Sequence, residues 1–438
     1  MKYYSTKDKG LRVGLKEAVL SGMPSDGGLY MPEYIPLLSG EELRRIEKGT
    51  LPEIAVTVLQ DYVSEDLSVN ELEEIVLSAF NFPIPLKEID ENKAVLELFH
   101  GPTLAFKDVG ARFMSRLMSK LITNDKSGLN IIVATSGDTG SAVANGFYDI
   151  EGIRVFILFP SGKVSTLQKK QMTTLGKNII PLEISGTFDD CQKIVKNALN
   201  DKILNSQHRL TTANSINIAR LLPQSVYYFK GYYDALKLND YDEQIIFCVP
   251  SGNFGNLCAG LLAKKMGLNI RHFIAATNVN DVVPEYLRSG TFKARKSVQT
   301  LSNAMDVGNP SNFERIVDLY DGLYEKTTAE ITGFAFSDTE TKTQISTTLR
   351  QSEYLLDPHG AVGLLALEKY MKDRKGTLYG VSLETAHPSK FIETVEGVIG
   401  NAVSIPQRLS DCLNKEEHQI LMENDYEKIR EFLYEKMI

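Results

Sequence analysis

From about residue 94 the chain alternates between two spacings of apolar positions. Short apolar runs rich in β-branched residues give way to segments whose apolar residues recur every three or four positions. The runs predict strands over Ala94–Phe99, Asn130–Ala134, Arg154–Phe159, Ile179–Ile184, Glu243–Val249, Arg271–Ala276 and Thr377–Leu383. The helical spacing predicts Lys107–Ile122, Thr139–Tyr148, Val164–Leu175, Phe188–Leu199, Ile216–Leu236, Asn256–Met266 and Ala361–Lys372. Strand and helix repeated in this order describe parallel sheets covered on both faces. So many strands exceed one ordinary open sheet. The expected fold class is therefore α/β, with two open parallel-sheet lobes and ligand sites outside the carboxyl ends of the strands. A (β/α)8 barrel is the alternative, and the irregular repeat lengths speak against it.

Residues 1–92 read as a mostly helical N-terminal extension. Ser21 to Gly28 is turn-rich, and Leu29 to Pro32 is a short extended piece. Amphipathic helices are predicted over Glu41–Ile46, Leu51–Tyr62 and Ser68–Phe80, the last opened by Ser68 as N-cap. The expected lobes are 93–240, the mobile one, and 241–400. Residues 401–438 are expected to form a charged helical tail docked on the surface.

Composition narrows the function classes. The chain has 438 residues and a net charge of -8, with no basic run, which argues against a nucleic-acid surface. Small anions stay possible, because helix N-termini bind them whatever the global charge. Cys191, Cys248, Cys258 and Cys412 show no metal-ligand spacing, so no metal is expected and buried free thiols are. The first residues are polar and lack a signal-type apolar stretch, and no apolar run approaches the ~20 residues that span a bilayer. These features point to a soluble cytoplasmic protein without membrane contact.

The stretch Glu97 to Asp108 breaks at Gly101-Pro102 and then launches a helix with Lys107 in its first turn. A helix N-terminus disfavours an ammonium, and an amine with a lowered pKa attacks carbonyls. This stretch alone leaves two readings open, a surface lysine and a nucleophile. Other strand ends open into small polar turns. Thr135-Ser136-Gly137-Asp138-Thr139-Gly140 can grip a carboxylate or phosphate, or be a plain capped turn. Ser251-Gly252-Asn253-Phe254-Gly255-Asn256 offers amides for a phosphate, and matches neither dinucleotide nor P-loop spacing. Lys163 in the turn Phe159 to Ser165, and Arg220 with Asn214 in the helix start Ala213 to Arg220, offer cations for a second anion or are solvated charges. Thr385 and His387 follow the last strand, and His387, His100 and His359 read first as structural histidines. Pyridoxal phosphate needs such a list: a lysine, a phosphate cradle and a partner for the ring nitrogen.

At this point the residues resemble a known family. The motifs His100-Gly101-Pro102-Thr103-Leu104-Ala105-Phe106-Lys107-Asp108, Ala134 to Gly140, Pro250 to Gly255, Ala275 to Asp281, Leu301 to Asp306 and Thr385-Ala386-His387-Pro388 carry the likeness. It is to the threonine synthase family, in its longer bacterial and fungal branch, within the fold type II pyridoxal-phosphate superfamily. It runs from Gly27 to about residue 400. It implies that Lys107 forms the Schiff base with pyridoxal 5'-phosphate and then carries protons. Gly252, Asn253, Phe254, Gly255 and Asn256 would hold the cofactor phosphate, Thr385 would meet the ring nitrogen, and Asp138 would lie by the ring. Thr103, Ser136 and Thr139 would meet the substrate, with Lys163, Asn214 and Arg220 on its phosphate. Relatives such as cysteine synthase carry Asn where this chain has Asp138, which argues against that activity. The implied reaction turns O-phospho-L-homoserine and water into L-threonine and phosphate, in a monomer or homodimer. The nearest rival is a threonine dehydratase or tryptophan-synthase-β type enzyme, distinguished by deamination without phosphate release. A non-catalytic relative would take up no cofactor.

Overall fold

The larger sheet has six strands, in the order Ile331–Ala335, His272–Thr277, Ile245–Pro250, Tyr379–Glu384, Lys93–Glu97 and Leu86–Asp90. All its neighbours are parallel except the last pair. The smaller sheet has five parallel strands, ordered Ile420–Glu423, Ile179–Ser185, Ile153–Pro160, Leu129–Ala134 and Leu210–Thr212. A three-stranded antiparallel sheet of Arg12–Val13, Tyr3–Ser5 and Tyr30–Pro32 sits in the N-terminal extension. This computed structural model describes residues 1–123, 128–238, 244–372, 374 and 378–438.

The central strands are the ones the sequence marks most clearly, for a physical reason. Ile245–Pro250, His272–Thr277, Tyr379–Glu384 and Leu129–Ala134 are buried at every position. Helices cover both faces, so both faces must be apolar and the run is nearly continuous. Edge strands carry no such signal. Leu86–Asp90 and Ile420–Glu423 are mostly exposed or half-buried, and no strand was expected at either. Two expected strand starts, Glu243 and Thr377, lie outside the described residues.

Three expectations change. The strand Lys93–Glu97 does not belong with the residues that follow it, because it pairs with Tyr379–Glu384 in the larger sheet. The chain leaves that sheet after Glu97, builds the smaller one and returns at Ile245. The tail is not only a surface helix. Its strand Ile420–Glu423 pairs with Ile179–Ser185, and its helix Tyr426–Lys436 buries Ile429 and Leu433 against Ile184 and Cys191. The single helix expected over Ile216–Leu236 is three pieces, Ile218–Leu221, a 3-10 turn Leu222–Gln224, and Ser225–Leu238. Pro223 lacks the N–H that an unbroken helix needs there.

The N-terminal extension packs as expected. Helices Gly40–Lys48 and Val69–Ala79 begin with capping boxes built on Ser39 and Ser68. Arg315, fully buried, donates from Nε to the Tyr30 carbonyl at 3.1 Å and so ties the extension to the larger lobe. The four cysteines are buried and free. Among the described residues, no helix is long and apolar enough to cross a membrane, and no cluster of side chains could hold a metal ion.

Candidate active site

Strand ends bring the chemistry together. Lys107, Ser136, Thr139, Asn214, Arg220, Gly252 to Asn256 and Thr385 all line one cavity of about 370 Å³ between the two sheets. Each follows the carboxyl end of a parallel strand directly or after a short loop, as open α/β sheets dictate.

The glycine turn is a cradle of free donors. Phe254 has φ +61° and caps the helix Gly255–Lys265, a conformation costly for a residue with a Cβ. The N–H groups of Gly252, Asn253 and Phe254 donate to nothing among the described residues. A methyl group at Gly252 would lie 2.3 Å from the Ala304 carbonyl, so only glycine lets the 303–309 segment close over the turn. The side chain of Asn253 is otherwise engaged, since it bonds Ser215 Oγ at 2.5 Å and the Ser311 N–H at 2.6 Å. It shapes the turn and leaves the anion to the backbone. Asn256 accepts from the Tyr228 hydroxyl at 2.7 Å, and its buried Nδ2 has no partner among the described residues.

Lys107 begins the helix Lys107–Ile122 and has no hydrogen-bond or ion-pair partner among the described residues. Its Nζ lies 5.4 Å from the centre of the Phe106 ring. Burial pushes its amine down to about 8, with Lys390 and Arg220 adding to the fall and Asp138 opposing it. The helix N-terminus foreshadowed the direction, but burial is the larger cause.

Arg220 is buried and approaches the lysine helix closely. Gly110 makes this possible, because a Cβ there would stand 3.1 Å from Arg220 Nε. Arg220 Nη1 donates to the Ala213 carbonyl at 2.6 Å, while Nε is buried with no partner among the described residues. Burial lowers its guanidinium to about 10, which leaves it charged at neutral pH. Asn214 is a latch between strand ends, donating to the Ala134 carbonyl at 3.0 Å and accepting from Thr212.

Three expected residues do not line this cavity. Thr103 is buried behind it and donates to Asp108 at 2.6 Å. Asp138 is buried and paired with Lys390 at 2.7 Å. Lys163 is exposed on an adjoining cleft that shares Ser136 and Asp306 with the cavity. Other lining residues went unrecognised, among them Gln224, Arg295, Asp306 and His359. Asp306 belongs to a motif noted above, and burial pushes its carboxyl up to about 6 against the pull of Thr300 and Asn278. His359 Nε2 accepts from the Ala304 N–H at 3.2 Å, so Nδ1 carries the proton and donates to Asp357 at 2.5 Å. The ring thereby steadies the segment that closes over Gly252. His387 is structural, capping the turn Pro388–Phe391 and standing edge-on to Phe99.

The free donors and the low-pKa amine fit a phosphorylated aldehyde. Known proteins agree. A family model described as pyridoxal-phosphate dependent enzyme matches residues 85–378. Models for the threonine synthase N terminus and C-terminal region match residues 2–80 and 360–433. The chain belongs to the threonine synthase family. It is 42% identical over 440 residues to the threonine synthase of Buchnera aphidicola subsp. Schizaphis graminum, covering 100% of both chains. The crystal structure of the Escherichia coli threonine synthase superposes with a TM-score of 0.92 at 39% identity, covering 99% of this chain and 100% of that one. The pyridoxal-phosphate-bound threonine synthase of Brucella melitensis gives 0.91 at 36% identity, covering 99% of each. The fold is accordingly fold type II, and the family's cofactor is pyridoxal phosphate.

Proposed function

We propose that this chain converts O-phospho-L-homoserine and water to L-threonine and phosphate, with pyridoxal 5'-phosphate held by Lys107, the Gly252–Gly255 turn, Asn256 and Thr385. One observation carries the assignment of roles. Two separate groups of donors share a cavity with one low-pKa amine: the backbone N–H groups of Gly252 to Phe254, unpartnered among the described residues, and the guanidinium of Arg220. The reaction needs two phosphates bound at once, one of the cofactor and one of the substrate. When bound, the cofactor supplies an electron sink for charge developing next to the amino carbon.

The chain's own residues do the rest. Lys107 Nζ, lowered to about 8, is partly neutral near pH 7 and takes the proton from the substrate's α-carbon. The Arg220 guanidinium meets the leaving phosphate, with Ser136 and Thr139 supplying hydroxyls from the smaller lobe. Thr385, on the cavity wall, would offer the cofactor ring a neutral hydroxyl. The segment 303–309 and the helix Phe188–Asn200 both line the cavity and restrict water. Asp138 acts from behind the cavity. Lys163 is the least supported of the substrate-phosphate residues, because the adjoining cleft exposes it. Free buried thiols and the absence of a membrane-crossing helix among the described residues support a cytoplasmic location.

The test is phosphate release. Purified protein with the cofactor should release phosphate from O-phospho-L-homoserine and form threonine in equal amounts. Deamination of serine or threonine without that release would assign the chain to the dehydratase type instead.

A further inference from the structure

The turn after the strand Tyr379–Glu384 carries Lys390 into the interior, where its side chain is fully buried. Its ammonium lies 2.7 Å from Asp138 Oδ1 and donates to the Thr103 carbonyl at 2.8 Å. Asp138 Oδ1 also accepts from Gln168 Nε2 at 2.9 Å. Asp138 opens the helix Asp138–Phe147, where the helix dipole favours a carboxylate. Thr103 is itself fixed by Asp108, the residue after Lys107, through its hydroxyl and its backbone N–H. One buried ion pair thus joins a turn of the larger sheet, a helix start of the smaller sheet and the loop that runs into Lys107.

A purely mechanical bridge could lie anywhere between the sheets. This one lies near enough to the lysine for both charges to act on it. The charged groups acting on Lys107 come from four elements: Asp138, Lys390, Arg220 and Asp357. The carboxylates favour its ammonium form, and the two cations oppose it. We propose that Asp138 and Lys390 form a positioning pair that docks the smaller sheet onto the lysine loop and balances the charge Lys107 meets. Asp138 then serves as a counter-charge behind the site, already committed to Lys390 and Gln168.

Opposite signs distinguish this from a structural role. Removing the Lys390 charge leaves Asp138 uncompensated and should raise the pH at which Lys107 loses its proton. Removing the Asp138 charge leaves Lys390 uncompensated and should lower it. The proposal rests on the role given to Lys107, yet its amine titrates whether or not turnover follows, so the two fail separately.

The experiment is trace acetylation of the full-length, cofactor-free chain from pH 6 to 10, with the Lys107 peptide quantified by mass spectrometry. Lys390→Met should raise the midpoint by about one pH unit, making Lys107 about tenfold slower to react below it. Asp138→Asn should lower the midpoint. The double variant should return close to the unaltered protein, and Lys390→Arg should match it. Single variants that shift the same way, or leave the midpoint in place, overturn the proposal. Should Lys390→Met lose its fold by circular dichroism, Asp138→Asn decides alone: a lowered midpoint supports the pair, and an unchanged or raised one overturns it.

Discussion

Glu97 and Glu384 face each other across adjacent parallel strands, and both are buried. Two carboxylates so placed do not both ionise. Burial alone would raise Glu97, but bonds from His100 Nε2 at 2.7 Å and the Tyr354 hydroxyl at 2.9 Å outweigh it and hold Glu97 below its usual value. Glu384 is pushed well above its usual range, first by burial and then by Asp357 and Glu97. The pair therefore carries one charge on Glu97 and one proton on Glu384, directly before Thr385.

This fixes a pH dependence of stability. A carboxyl raised in the folded chain binds its proton more tightly there than in the unfolded chain. Its contribution is full below the unfolded value of 4.5 and is lost as pH rises toward the folded value. Glu384→Gln keeps a neutral side chain of the same shape and removes the loss. Its melting temperature should match the unaltered protein near pH 4.5 and exceed it at pH 8. Glu384→Ala should destabilise at every pH, because the Asp357 N–H loses the acceptor it meets at 2.8 Å.

This carboxylate pair is also where reading the sequence stops. Glu97 was visible only as a polar residue inside an apolar run and Glu384 as the residue after one, since pairing of strands nearly three hundred residues apart leaves no local pattern. Turns that carry their chemistry locally were legible: the Gly252–Gly255 nest and Lys107 at a helix start fall where periodicity put them. Asp138 was expected beside the cofactor ring, whereas it is paired with Lys390 behind the cavity, and Lys390 itself was not singled out, because a lysine after a turn reads as a solvated charge. Arg315 and Lys390 are both buried against expectation for their type, and each is recognisable only from the groups that surround it.

Lys107 gives a stability effect of the opposite slope. Its folded value of about 8 lies below 10.5, so the folded chain sheds its proton first. Stability is therefore reduced at neutral pH and recovers as pH rises from about 8 toward 10.5. Lys107→Met should make the cofactor-free protein more stable at pH 7, on the order of 2 kcal/mol, with the gain vanishing near pH 10. The same variant should show no turnover and none of the visible absorbance of lysine-bound cofactor. Retained turnover would remove Lys107 from the mechanism.

Gly252→Ala tests the cradle without touching any charge. The new methyl group would meet the Ala304 carbonyl at 2.3 Å and the Met305 Cα at 3.0 Å, both backbone atoms. The closing segment must shift, at about 1–3 kcal/mol. Cofactor affinity, measured by fluorescence titration, should fall at least tenfold while far-ultraviolet circular dichroism is unchanged. Unaltered affinity would mean that the phosphate lies elsewhere.

The substrate phosphate is tested by contrasting Arg220 with Lys163. Arg220 is buried on the cavity wall, whereas Lys163 is exposed on the neighbouring cleft. Arg220→Ala should raise KM for O-phospho-L-homoserine by about a hundredfold, as loss of a buried charge-assisted contact of about 3 kcal/mol would. It should also lower the melting temperature, because the Ala213 carbonyl loses its partner at 2.6 Å. Cofactor affinity should change far less than KM; equal loss of both would move Arg220 to the cofactor or to folding. Lys163→Ala should leave KM within about twofold, since an exposed cation contributes little across solvent. A large KM effect at Lys163 would instead mean that the two clefts join when substrate binds, and that the smaller lobe moves to bring this lysine onto the phosphate.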